Sequence, residues 1–454
     1  MRADGTEFVP QQTFPDPKRP GRLAPMTWIP RWIRPDRAGF EEPALGMALR
    51  EAFAARPHRI SDAVRTVDAS VVLDDGTGEF WTLRIQHGQL RLQEGRDRRA
   101  ETTISGDPLT LAGVVRGKRS GLDSFSRGRL RVRGNVSLAL KLEGIFERRS
   151  RPTDRARPRR VFANGIDTFF LDAGSGPPVV VLHGVGATNS SMLPTLAALS
   201  SRYRVLVPDL PGFGDSGKPV ARYDAPFFSR WLSSFLDATG IDRAHIVGNS
   251  LGGRIAIELA LQEPERVSTL ALLSPALAFR RNRSAAPVVR FMAPEFGVIP
   301  VPLLRRQLHR GIRYLFARPE RLPDAFYDAA VDEFIRVFRM PLGRVAFFAA
   351  ARRIYLERPF GPDGFWPRLE RLNRPALFLW GEADRMVPAA FARHVEAALP
   401  RARSIVLKDC GHIPQFELPE ATHGAVLEFL AEHDSALLDE PSGAVNARPT
   451  TRSE

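Results

Sequence analysis

Short runs of unbroken apolar residues recur along the chain from about residue 160 onward, at 179–182, 205–207, 246–247, 270–273, 376–380 and 405–407. Runs that lack polar alternation and end at turn residues fit strands covered on both faces. Amphipathic stretches separate them, as at 251–262. This alternation predicts an α/β fold over residues 161–432, with a mostly parallel, doubly wound sheet whose ligands gather beyond the carboxyl ends of the strands. Residues 275–367 break the alternation with helical patterns rich in Phe, Leu and Arg. Their length and position predict a helical cap. Its aromatics, Phe334, Phe338, Phe347 and Phe348 among them, either fill the cap's own core or line an acyl or aromatic pocket.

The pattern before residue 148 is different. Period-two segments at 70–73, 80–85, 89–92 and 101–105 are separated by turns at Asp74-Asp75-Gly76 and His87-Gly88. Helical patterns follow at 109–116 and 121–126, then a strand at 128–134 and a last helix at 136–146. Strands with Gly turns followed by helices predict a smaller α+β domain. With the helical stretch 41–67 in front, it covers 41–147. Residues 1–40, rich in Pro and Arg, read as a flexible basic arm. Residues 148–160 hold seven arginines and two prolines. Like-charge repulsion and proline predict an extended linker there. Residues 433–454 read as a disordered tail.

Composition narrows the classes. At 454 residues, 43% of them hydrophobic, the chain can bury several cores. Its one cysteine, Cys410, excludes an internal disulfide framework and suits a reducing, cytoplasmic setting. The first 30 residues lack an apolar leader core, and no apolar stretch approaches membrane-spanning length, so neither a secretory leader nor a transmembrane helix is expected. The net charge of +14 has three readings: nucleic acid, an anionic membrane met peripherally by the basic segments, or an arginine-rich composition without such a partner. No zinc-finger spacing or RNA-binding aromatic motif is present, and no nucleic acid partner is expected.

The chemistry concentrates at Gly248-Asn249-Ser250-Leu251-Gly252, a G-x-S-x-G pentapeptide between an apolar run and a helical stretch. A serine on so sharp a strand-to-helix turn is strained, its Oγ raised out of the sheet edge above the free N–H groups of the helix. Three further motifs fall at strand ends: His183-Gly184-Val185-Gly186, then Asp384 within Gly381–Pro388, then His412 within Asp409–Glu417. Of the nine histidines, His412 alone stands after a terminal strand, behind a Gly and before a helical pattern, which makes it the general-base candidate for Ser250. Cys410 reads as packing, because the elbow already holds a serine.

These motifs, with Pro208-Asp209-Leu210-Pro211-Gly212-Phe213-Gly214-Asp215-Ser216, resemble the α/β-hydrolase superfamily over about 270 residues. The resemblance implies a Ser250–His412–Asp384 triad, an oxyanion hole from the Val185 and Leu251 amides, and substrate contacts near Gly184, Asn249, Trp380 and Ile413. It also implies that His183 shapes its loop without moving protons. Ser250 excludes the aspartate-nucleophile relatives and implies acyl transfer. The spellings around Asn249 and His412 resemble carbon–carbon bond hydrolases of aromatic degradation, though Ile413 stands where that branch has tryptophan. The N-terminal segment resembles the sterol-carrier-protein-2 fold, through the 81–85 strand, Asp107-Pro108, Gly117-Lys118 and Gly128-x-Leu130-x-Val132-x-Gly134-Asn135. That resemblance implies an apolar tunnel for lipids or acyl chains.

The expected function is hydrolysis of a carboxylic ester with an apolar, lipid-like or aromatic acyl group, through an acyl-enzyme and without metal or organic cofactor. Its partner is then a small-molecule ester or lipid. The alternatives are a carbon–carbon bond hydrolase of the meta-cleavage-product type and a lipid carrier with an incidental hydrolase domain. Arg254 and the cap arginines either pair with a substrate carboxylate or face solvent.

Overall fold

The computed structural model describes residues 45–54, 68–87, 89–116, 118–126, 129–135, 138–139, 156–279, 293–299 and 303–434. The arm 1–40, most of the 148–160 segment, most of the helix expected at 136–146 and the tail beyond residue 434 lie outside the described residues.

The N-terminal part is a five-stranded sheet in the order β3-β2-β1-β4-β5. Its strands are β1 (Ala69–Asp74), β2 (Phe80–Gln86), β3 (Gln89–Glu94), β4 (Thr102–Gly106) and β5 (Leu130–Gly134). All neighbours run antiparallel except β1 and β4. Helices α1 (Leu45–Ala54), α2 (Pro108–Val115) and α3 (Gly121–Ser126) accompany it among the described residues. Asp107 caps α2 by accepting the Thr110 amide, and Pro108 occupies the first turn. Leu45, Leu49, Leu83, Ile85 and Leu111 form one core with Trp81. A methyl group on Gly46 would lie 2.5 Å from the Trp81 ring, so α1 sits directly on that indole.

The C-terminal part is an eight-stranded sheet in the order β13-β12-β11-β10-β8-β9-β7-β6. Strands β8 (Pro178–Leu182), β9 (Arg204–Pro208), β10 (Ala244–Asn249), β11 (Val267–Leu273), β12 (Ala376–Gly381) and β13 (Arg403–Leu407) pair in parallel, as their apolar runs predict. Two cores lie on its two faces: Val180, Leu182, Phe378 and Trp380 belong to one, and Val179, Val181, Leu377 and Leu379 to the other. The period of two along a strand produces this division. Helices α4 (Leu193–Leu199), α5 (Ala225–Ala238), α6 (Leu251–Gln262), α11 (Phe391–Ala398), α12 (Pro414–Glu417) and α13 (Pro419–Ala431) accompany the sheet. Between β11 and β12 stand α7 (Arg305–Tyr314), α8 (Asp324–Phe338), α9 (Pro341–Tyr355) and α10 (Phe365–Leu369), where a helical cap was expected.

The first two strands of this sheet correct the sequence reading. Residues 157–160, expected in the linker, open β6 (Arg157–Ala163), which forms an antiparallel hairpin with β7 (Ile166–Ala173). The turn is Asn164-Gly165, both at positive φ, the pair that a two-residue hairpin favours. Charge repulsion does not extend the arginines, because cross-strand carboxylates take them up: Arg160 pairs with Asp167 at 2.5 Å and Arg159 with Asp172 at 3.6 Å. His433 and Asp434, placed in the disordered tail by the sequence, are also tied down. The Tyr203 hydroxyl donates to Asp434 Oδ2 at 3.0 Å.

The N-terminal part packs on helices of the C-terminal part. Val132 of β5 shares a core with Leu193, Leu196 and Leu199 of α4. The Gly134 amide donates to Asp332 Oδ2 on α8 at 3.1 Å.

Candidate active site

Ser250 stands between β10 and α6 with φ 52° and ψ −112°, a conformation that L-residues rarely adopt. Its amide donates to Leu273 O at 3.0 Å, and its carbonyl accepts the Ala276 amide at 2.9 Å and the Arg254 amide at 3.1 Å. The flanking glycines are required by close approach. A Cβ on Gly248 would lie 2.5 Å from the Gly252 carbonyl carbon, and one on Gly252 would lie 2.3 Å from Leu182 O. Leu251 is the first residue of α6, where an amide has no partner within the helix.

The loop after β8 passes beside this corner. A Cβ on Gly184 would be 3.3 Å from Ser250 Cβ and 3.4 Å from Asn249 Oδ1. His183 beneath it is fully buried; Nδ1–H donates to Gly184 O at 2.8 Å and Nε2 accepts the Leu210 amide at 3.0 Å. Burial holds its pKa down at about 4, so the ring is a neutral bridge between two loops, in keeping with the role expected for it. Val185 is partly buried against the main core. Gly186, at φ 74°, lies under Phe347 and Phe334 of the cap helices.

The second corner joins the loops after β12 and β13. His412 Nδ1 and Asp384 Oδ2 are 2.8 Å apart. Asp384 Oδ1 accepts the amides of Met386 and Val387, each at 2.8 Å, which fixes the carboxylate. Both side chains are buried. Asn249 Nδ2 donates to Leu273 O at 3.0 Å and to His412 O at 3.3 Å, bracing the two corners against each other. Its amide is spent on the protein, which places it among the supports of the site. Ile413, half-buried, follows the histidine directly. Trp380 is not at the site. It is fully buried on a face of the sheet, stacked on Phe378, with its indole N–H donating to Ser404 Oγ at 3.2 Å. The two-residue strand period puts it there, one pleat before the strand end.

The cap supplies residues that the sequence reading did not single out. The His412 amide donates to Leu315 O at 2.7 Å. Buried Glu417 accepts the amides of Gly411 at 2.7 Å, Ala317 at 3.2 Å and Arg318 at 2.6 Å, fastening the 315–318 segment to the histidine loop. Its spacing from His412 carries no recognisable signal, because a surface helix start would also place an acid there.

Arg254 is neither a surface residue nor free for a substrate carboxylate. It is buried, pairs with Glu258 at 2.8 Å and with Glu357, and lies 4.9 Å from the Phe365 ring centroid. Burial opposes its charge, but the two glutamates outweigh that and raise its pKa. Removing one partner from such a network costs about 3–5 kcal/mol. Cys410 is buried and its thiol is pushed up to about 12, chiefly by desolvation; it is packing, as expected. Among the described residues, no group of three or more acidic, His or Cys side chains is arranged to hold a metal ion.

A strained serine on a strand-to-helix corner, beside a His–Asp pair at two later strand ends of a doubly wound sheet, defines a class. Residues 177–419 match the alpha/beta hydrolase fold family, and the chain belongs to it. Residues 51–147 match the SCP-2 sterol transfer family. The chain is 29% identical over 291 residues to the 2-hydroxy-6-oxo-6-phenylhexa-2,4-dienoate hydrolase of Burkholderia cepacia, covering 59% of this chain and 93% of that enzyme. It is 30% identical over 257 residues to the dihydrolipoyllysine-residue acetyltransferase component of the acetoin cleaving system of Cupriavidus necator, covering 56% of this chain and 64% of that protein, less than two thirds of its length. Among solved structures it is similar to a membrane phospholipase A, a bacterial virulence factor, at 28% identity and a TM-score of 0.51, covering 61% of this chain and 86% of that one. Among the described residues, no helix is long and apolar enough to cross a membrane.

Proposed function

We propose that this α/β hydrolase cleaves a carboxylic ester of an apolar acyl group through Ser250, His412 and Asp384. His412 takes the Ser250 proton as Oγ attacks the carbonyl carbon, while the Val185 and Leu251 amides hold the oxyanion. His412 then protonates the leaving alkoxide and activates water to release the acid. Asp384, orienting Nδ1–H, sets the tautomer that leaves Nε2 basic. The observation that carries this reading is the 2.8 Å His412–Asp384 contact, with Asp384 fixed by two amides, beside the strained Ser250. The aromatic cap above Gly186 and the similarity to a phospholipase A favour an apolar acyl group. The sterol-transfer-like domain then holds or senses a lipid related to the substrate.

A second reading is carbon–carbon bond hydrolysis, favoured by the dienoate hydrolase relative. Burial of Arg254 between two glutamates removes one cation that such a substrate's carboxylate would use. Labelling with a fluorophosphonate tests the serine chemistry: attachment at Ser250 is expected, and no attachment would sink the reading. Parallel turnover of p-nitrophenyl esters and of a 2-hydroxy-6-oxo-dienoate separates the two substrates, with the esters expected to be the faster.

A further inference from the structure

Three consecutive residues of cap helix α8 (Asp324–Phe338) reach three different places. Asp332 accepts the Gly134 amide at the end of β5 in the N-terminal sheet, and also pairs with Arg305. Glu333 Oε1 accepts the Thr188 hydroxyl at 3.0 Å. Phe334 lies over Gly186. Thr188 and Gly186 belong to the segment that carries Val185, whose next turn closes with the Ala187 amide donating to Gly184 O at 3.3 Å.

The segment is also held from below. The Asn189 amide donates to Asp209 Oδ1 at 2.7 Å, and Asp209 Oδ2 accepts the Asp215 amide at 2.7 Å. Arg336, one turn along α8 from Glu333, grips that glutamate with two nitrogens at 2.7 and 2.9 Å and reaches Asp215 at 2.8 Å. The circuit Thr188–Glu333–Arg336–Asp215–Asp209–Asn189 therefore closes on the oxyanion-side loop from both directions. Thr188, Glu333, Asp209 and Asn189 are all buried. A polar ring buried at this depth has few alternative arrangements, because any other leaves unpaired groups away from water.

We propose that Thr188 and Glu333 are positioning residues for the oxyanion hole. Through them the cap fixes the turn bearing the Val185 amide, and through Asp332 the N-terminal sheet fixes the cap helix. The proposal rests on the serine-hydrolase reading above. It makes the N-terminal domain part of the catalytic assembly in addition to any lipid it holds.

The test uses the full chain, p-nitrophenyl ester kinetics and the rate of fluorophosphonate attachment. Thr188→Val is expected to lower kcat about 10-fold, short of the 10²–10³ that loss of an oxyanion donor costs. KM should stay within about twofold, since the amide matters most when charge develops on oxygen. Thr188→Ser should restore kcat. Glu333→Gln keeps an acceptor but loses the Arg336 pair, and should show a smaller fall of the same kind; it carries the test if Thr188→Val does not fold. With wild type labelled at Ser250, an unchanged kcat, or a change confined to KM, overturns this proposal alone. An unlabelled wild type overturns it together with the serine reading. Asp332→Ala combined with Thr188→Val should cost less than the two separate losses added, and additive losses would overturn the link to the N-terminal sheet.

Discussion

The two corners of the candidate site are built by different means. The serine corner is specified over five residues. A Cβ on Gly248 or Gly252 would come within 2.5 or 2.3 Å of backbone atoms, so both positions require glycine. The acid–base corner is assembled from afar. Its two loops touch at Gly381, where a Cβ would be 2.0 Å from Gly411 O, and the cap holds them in place by Leu315 O, which accepts the His412 amide, and by the Ala317 and Arg318 amides, which donate to Glu417. A local steric device gives a fixed serine whatever covers it. The histidine depends on elements about 100 residues away in sequence, as in the Glu417–Ala317 contact. The backbone of Ser250 itself should therefore tolerate changes in the cap, while the base corner and the neighbouring Val185 turn should not.

Ser250→Ala is the largest expected effect, a loss in kcat on the order of 10⁶ with the fold intact, measured by ester kinetics and thermal melting. Residual turnover within 10-fold of wild type would remove Ser250 from the chemistry. Asp384→Asn comes next, with a loss on the order of 10⁴, since an amide in place of the carboxylate stabilises the wrong tautomer of His412. Glu417→Gln bears most directly on the difference between the corners. It weakens the clamp on the histidine loop and should reduce kcat about 10-fold through misplacement of the base. Fluorophosphonate attachment should slow in parallel, and equal activity would show that the base corner is self-supporting.

The last expected effect concerns the serine corner's foundation and appears in stability and not in turnover. His183 titrates near 4 in the folded chain and near 6.5 when exposed. Between those values the unfolded chain binds the extra proton, so stability is complete above pH 6.5 and is lost as pH falls toward 4. The shift corresponds to about 3 kcal/mol. His245 and His423, also buried and held at about 4, act in the same direction. Denaturant midpoints measured from pH 7 to 4 should fall, and His183→Gln should flatten part of that slope. An undiminished slope would mean that His183 is not the buried neutral bridge.

Much of this was legible in the chain. Runs such as 179–182 and 270–273 fit strands covered on both faces, and the elbow, Asp384 and His412 were found by short motifs that follow such runs. The Asn164-Gly165 hairpin was equally readable, but the arginines around it suggested repulsion, and their carboxylate partners lie on another strand. Trp380 was misjudged for a related reason: proximity to a motif in sequence does not say on which face a strand residue lies.

The sequence by itself determined the class of fold, the strain at Ser250 and the order of the triad candidates, since these follow from periodicity and from contacts within a few residues. Only the tertiary structure decided that Arg254 is locked between Glu258 and Glu357, that Glu417 holds the histidine loop, and that Asp332, Glu333 and Phe334 join the N-terminal sheet to the loop beside the serine. Those pairings depend on which charges and amides burial brings together, and burial is a property of the folded chain as a whole.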